Sequence, residues 1–157
     1  MKRIFFITFL LGLFSVLNAF DTKIFAGVTA GKVDGDTYTQ FTVGQSSTTR
    51  VAQSFIFGFA NSLSYGKVRS GASATTVDLD LKAGYDILHN LTIYGIGSGA
   101  VQYYDDSTYT GLGYGGSLEY KFTPTLALEG TYKTMRMSKS SHSYDYNTAN
   151  LSLKVGF

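Results

Sequence analysis

The last nine residues constrain the whole chain. Ala149, Leu151, Leu153, Val155 and Phe157 alternate with Asn150, Ser152, Lys154 and Gly156. In an extended strand these two sets point to opposite faces. One face is apolar or aromatic and the other polar or small, so the segment separates two different environments. The same split recurs upstream. Leu126, Leu128, Gly130 and Tyr132 alternate with Ala127, Glu129, Thr131 and Lys133. Leu112, Tyr114, Gly116, Leu118, Tyr120 and Phe122 alternate with Gly113, Gly115, Ser117, Glu119 and Lys121. Val77, Leu79, Leu81, Ala83 and Tyr85 alternate with Asp78, Asp80, Lys82, Gly84 and Asp86. Every charge in these four segments falls on one face, and the signs are mixed.

Four further segments carry the pattern less sharply. Thr22–Lys32 has Ile24, Ala26, Val28 and Ala30 on one face, Thr37–Gly44 has Phe41 and Val43, and Arg50–Leu63 has Phe55, Phe57 and Phe59. Leu91–Tyr103 is apolar on both faces, which leaves its orientation open. Eight strands result. Short turns are expected at Ser46–Thr49, Leu88–Asn90 and Phe122–Thr125. Longer polar loops are expected at Val33–Asp36, Ser64–Thr76, Tyr104–Thr110 and Arg136–Tyr146. Alternating short and long connections suit an up-and-down barrel with both termini on the short-turn side.

Alternation alone does not say which face is inside, and a soluble barrel alternates too. Three features favour lipid outside. Tyr85, Tyr120, Phe122 and Phe157 fall at the short-turn ends of their strands, and Tyr103, Tyr104, Tyr109, Tyr144 and Tyr146 near the long-loop ends. Two aromatic belts suit two membrane interfaces. Several segments reach the ~9–11 residues that cross a bilayer at a tilt. The last strand ends on an aromatic residue in phase with its apolar face. The reading is an all-β fold, an eight-stranded antiparallel up-and-down transmembrane β-barrel. Its narrow interior then holds Asp78, Asp80, Lys82, Glu119, Lys121, Glu129, Lys133 and Lys154, which must pair because unpaired buried charge is costly. A structural ion-pair network is the preferred account of them over a gated pore or a catalytic pair.

Met1-Lys2-Arg3, an apolar run from Ile4 to Leu17 and Ala19 read as a secretory signal peptide over residues 1–19, leaving a barrel over 20–157. Removing Lys2 and Arg3 from 13 basic residues leaves 11 against 11 acidic ones, so the mature chain is formally neutral and nothing points to nucleic acid. There is no cysteine. The two histidines, His89 in a turn and His142 in a loop, lack a fixed partner geometry. No catalytic, cofactor-binding or metal-binding residues are assigned, and no enzyme activity is expected. The Gly111–Gly116 run lies within an alternating strand, where close packing explains it better than phosphate binding. Lys67, Arg69, Arg136 and Lys139, near the loops, are candidate contacts for lipopolysaccharide phosphates.

The leader, the eight segments and the closing Asn150–Phe157 resemble the outer-membrane β-barrel proteins, nearest to opacity-like proteins and to OmpA-type transmembrane domains. Leu81–Tyr85 and Leu91–Gly95 resemble the central hairpin of that group. The resemblance implies a cell outer-membrane location and a terminal signal read by the barrel assembly machinery, placed here on Leu151, Leu153, Val155 and Phe157. The expected function is structural or surface-interacting, through membrane integrity or adhesion by extracellular loops, with lipid, lipopolysaccharide and a host or surface ligand as partners. The alternative is a narrow barrel passing small or hydrophobic solutes.

Overall fold

The computed structural model describes residues 20–33, 36–67, 72–104, 107–139 and 142–156. The assigned signal segment, Arg69 and Phe157 lie outside these. Eight strands follow in chain order: β1 Asp21–Val33, β2 Asp36–Arg50, β3 Phe55–Lys67, β4 Ser73–Leu88, β5 Leu91–Tyr104, β6 Ser107–Lys121, β7 Leu126–Lys139 and β8 His142–Gly156. Each pairs antiparallel with its sequence neighbour, and β1 pairs with β8, so the sheet closes. Closure removes both sheet edges and pairs the backbone groups that a membrane could not hydrogen-bond.

The faces are those of a membrane barrel. Leu79, Leu81, Leu118, Leu151, Leu153 and Val155 are exposed on the outside, while Lys82, Glu119, Glu129 and Lys154 are buried within. The open question of β5 resolves in the same sense. Ile93 and Val101 point out, and Tyr94, Ile96, Ala100 and Gln102 point in.

The expected connections need correcting. Ser46–Thr49 is no turn but the end of β2, and the turn falls at residues 51–54, so Arg50 closes β2 rather than opening β3. Hydroxyl residues are common in turns. Here Ser46 and Ser47 are buried small side chains of a strand. None of the four long loops is long. Two residues separate β1 from β2, β5 from β6 and β7 from β8, and five separate β3 from β4. The Thr-, Ser- and Tyr-rich stretches read as loops are strand, consistent with the β-propensity of Thr and Tyr.

The strands are therefore long, from 13 to 16 residues. A 14-residue strand such as β5, at ~3.4 Å per residue and ~40° tilt, covers about 36 Å along the barrel axis, against an apolar band of about 25 Å. The barrel wall outreaches the hydrocarbon layer. The end of the barrel that carries the start of β1 and the end of β8 is the terminal end, and the opposite one is the far end.

Candidate functional site

The lumen is where most of the paired ionisable groups among the described residues converge, and it is filled in two layers. Nearer the terminal end is a layer of charge. Glu129 of β7 bonds Lys82 of β4 and Lys154 of β8, the latter at 2.7 Å. Lys154 also bonds Glu119 of β6 at 2.5 Å, and Lys23 of β1 lies 3.9 Å from Glu119. Higher up, Lys133 sits 3.1 Å from Asp80 and 3.5 Å from Asp78. Ser98 donates to Asp80 at 2.5 Å. Across these groups Lys23, Lys82, Lys133 and Lys154 balance Asp78, Asp80, Glu119 and Glu129, so the lumen is formally neutral. Buried ions of this kind persist only when each is paired and hydrogen-bonded.

Of the residues assigned to an interior network, the structure brings seven together and sets one apart. Lys121 points to the terminal mouth, 3.9 Å from Asp86. There Asp86 accepts from Arg50 at 2.6 Å and from Thr92 at 2.6 Å, and Arg50 also donates to the Gln53 carbonyl at 2.7 Å, which fixes the β2–β3 turn. Lys23 was not assigned. Its parity opposite Ile24 and Val28 was the available signal.

Toward the far end the filling changes character. Tyr38 stacks on Tyr146 with centroids 5.1 Å apart and planes 12° from parallel. Tyr146 donates to Gln40 at 2.7 Å, Tyr38 to the Asn147 carbonyl at 3.0 Å, and Tyr144 to Gln102. Val33, Ala74, Ala100, Met135 and Met137 pack around them, with Tyr104, Tyr109 and Tyr144 at the margin. This corrects the expected upper belt. Tyr104, Tyr109, Tyr144 and Tyr146 carry the lumen-facing parity, and Tyr146 is only 1% exposed. Tyr103 alone of the five points outward, where Phe41 and Tyr65 are likewise exposed. At the terminal end the outward pairs Phe55–Tyr85 and Tyr120–Phe122 each sit 5.2 Å centroid to centroid.

Close approach makes this filling fit. On the inner face of β6, Gly111, Gly113 and Gly115 lie under the side chains of Met137, Met135 and Lys133, and a Cβ at any of them would collide with β7. The glycine run is a bed for its neighbour's long side chains. Gly84 does the same for Tyr94, whose ring stands 2.5 Å from where a Cβ would be, with Lys82 Nζ 4.6 Å from the ring centroid.

The cations assigned to lipopolysaccharide separate. Lys67 is exposed at the far end of β3, and Arg136 is exposed on the outward face of β7, 3.4 Å from Ser143 Oγ. Lys139 carries the inward parity of β7 and leans over the far mouth, bonding Ser107 at 2.5 Å with its ammonium 5.9 Å from the Tyr109 centroid. His89 and His142 lie at opposite ends of the barrel, in the β4–β5 turn and at the start of β8. Among the described residues no group of three metal-ligating side chains occurs.

No protein-family model and no curated protein matches the chain. Solved structures do. Ail, the attachment invasion locus protein of Yersinia pestis, superposes with a TM-score of 0.57 at 16% identity, covering 88% of this chain and 99% of Ail. Neisserial surface protein A gives 0.51 at 18% identity, covering 88% and 96%. The N-terminal β-barrel domain of Pseudomonas aeruginosa OprF gives 0.51 at 16% identity, covering 87% and 98%. Identities this low carry the fold and nothing finer. With its closed eight-stranded sheet, polar lumen and apolar exterior, the chain has the fold of the small outer-membrane β-barrels.

Proposed function

We propose that this protein is a closed barrel of the bacterial outer membrane with a structural and surface-contact role rather than a pore or an enzyme. The observation that carries this reading is the lumen, filled by a neutral ion-pair layer and then by a tyrosine–methionine layer, inside a wall that is apolar outside. A filled lumen opposes passage of solutes. Histidines at opposite barrel ends oppose catalysis by a His-centred site.

In this reading residues 1–19 direct export and are removed. The barrel assembly machinery reads the last strand, whose Leu151, Leu153 and Val155 form an exposed outward row leading to Phe157. The surface contact is made by the far-end rim, since two-residue connections leave little loop for adhesion. Lys67 and Arg136, exposed on β3 and β7, are the cations this reading gives to lipopolysaccharide phosphates, with Arg69 joined to them from its sequence position alone. Ail has been crystallised with the heparin analogue sucrose octasulfate. A similar anionic surface ligand is compatible with this rim.

The test is fractionation with heat modifiability. The folded barrel is expected in the outer-membrane fraction, with different gel mobility before and after boiling, and with no steady conducting state in planar bilayers. A soluble periplasmic protein without a mobility shift overturns the membrane reading, and steady conductance overturns the closed one. Replacing Lys67, Arg69 and Arg136 by Gln is expected to weaken lipopolysaccharide binding while leaving the mobility shift intact, and unchanged binding removes the rim from the account.

A further inference from the structure

The outer wall is polar at one place where it should not be. Gln45 on β2 and Asn61 on β3 hold outward positions, in phase with Phe41 and Val43 and with Phe57, Leu63 and Tyr65. The two amides stand directly opposite each other in the β2–β3 ladder. Asn61 is six residues from Phe55 and four from Tyr65, the outward aromatics toward the two ends of β3. At ~3.4 Å per residue and ~40° tilt those steps are about 16 and 10 Å, which together match the apolar band of about 25 Å. Both amides are thus set at hydrocarbon depth. Outward rows elsewhere are apolar at mid-wall, as with Leu79 and Leu81 on β4 and Leu151 and Leu153 on β8. The flanking strands offer no partner: Ile24 lies beside Gln45 on β1, and Leu79 beside Asn61 on β4. Ser47, the next outward residue of β2, is taken by Thr22 at 2.9 Å. Gln45 is 6% exposed, and its Nε2 has no hydrogen-bond partner among the described residues. An amide left so costs free energy, and polar side chains at this depth are normally turned to another protein group.

The chemistry of the pair selects the occupant. Acyl chains neither donate nor accept, and the nearer aromatic girdle, where headgroups begin, is about 10 Å away. An amide has both donors and an acceptor, so a pair of amides is its own complement. A two-fold axis along the membrane normal brings β2 of one copy against β3 of the other. Gln45 of each copy then meets Asn61 of its mate at one depth. We propose that two copies of this chain associate through their β2–β3 faces, with two reciprocal Gln45–Asn61 hydrogen-bonded pairs at the contact. Rotation of the flexible Gln45 side chain brings its amide to the surface, and Val43, Phe57 and Leu63 pack around the pairs. The contact rests on the membrane reading, and adds to it a partner that lies within the bilayer rather than at the rim.

The chain has no cysteine, so one introduced thiol reports its own neighbour. Leu63→Cys places it on the proposed face, two residues from Asn61, and Leu118→Cys places it on β6, away from that face. The full chain is oxidised with copper phenanthroline in native outer membranes and in phospholipid vesicles at high lipid excess. Leu63→Cys is expected to give a disulfide-linked species of twice the chain mass, and Leu118→Cys is not. Adding Gln45→Leu and Asn61→Leu to Leu63→Cys is expected to lower that yield about ten-fold. The mobility shift of the folded barrel is retained, because Leu suits a lipid-facing wall. No dimer from Leu63→Cys, or equal yields from both thiols, overturns the proposal. A yield that survives the two Leu substitutions overturns the role of the amides. An adduct of another mass in native membranes, with no dimer in vesicles, overturns the second copy in favour of a different protein. A natural chain that shows no mobility shift is a separate failure, of the membrane reading itself, and removes this contact with it.

Discussion

The two layers of the lumen use the same device, inward residues of long strands, and fill it by opposite chemistry. Near the terminal end, Lys82, Glu119, Glu129 and Lys154 hold one another, and each ion is tolerable only because the others are present. Near the far end, Tyr38, Tyr146, Met135 and Met137 occupy space, with hydrogen bonds to Gln40 and the Asn147 carbonyl as additions. A charged layer fails when one partner is missing, because an uncompensated ion stays buried. A packed layer fails by degrees, in proportion to the volume or the single bond lost.

The sharpest way to break that contrast is Glu129→Gln, which removes the carboxylate shared by Lys82 and Lys154. A loss of about 3–5 kcal/mol is expected, read from the urea midpoint of the folded band. Lys82→Met combined with Glu129→Met removes a charge of each sign and leaves Lys154 with Glu119. It is expected to recover much of the loss, and a double variant as weak as the single one would show that bulk rather than charge matters in this layer. Next comes Gly113→Val, whose Cβ meets the Thr134 carbonyl and Met135. About 1–3 kcal/mol is expected by the same titration. Gly97→Val, at an outward position with nothing within 4 Å, is expected to change stability by no more than about 0.5 kcal/mol. Equal losses at both glycines would mean that strand propensity, not packing against β7, sets the effect. Tyr146→Phe keeps the stacked ring and removes the bond to Gln40, for about 1 kcal/mol. A loss as large as that of Glu129→Gln would erase the distinction between the layers. Smallest is Arg50→Ala at the terminal mouth, where a half-exposed ion pair with Asp86 is worth less than about 1 kcal/mol.

The charged layer was legible in the sequence and the packed layer was not, for a physical reason. A charge on an otherwise polar strand face marks parity unambiguously, so alternation put Asp78, Lys82, Glu119, Glu129, Lys133 and Lys154 on one face, and the signs of lipid outside made that face the interior. Tyrosine is at home at a membrane interface and in a core. Position near a strand end therefore suggested a belt for Tyr104, Tyr109, Tyr144 and Tyr146, while their parity placed them inside. The strand count and pairing order were readable because β4, β6, β7 and β8 alternate cleanly. The strand ends were not, because Ser46, Thr76, Thr108 and Thr110 are residue types that turns and strands share. Cross-barrel contacts such as Tyr146 with Gln40, 106 residues apart in sequence, depend on closure and leave no local trace.

The length of the strands has a consequence for how the far end meets the outside world. A protease or a binding protein that works by threading a slack segment into its cleft needs a stretch of chain free of partners. Here the hydrogen-bonded ladders run to within a few residues of every far-end reversal, with β1 and β2 still paired at Val33 and Asp36 and β7 and β8 at Lys139 and His142. Among the described residues, the far end is a collar of paired strand. Whatever recognises those strand ends must fit a contour fixed in advance, and whatever would digest them must first pull the sheet apart.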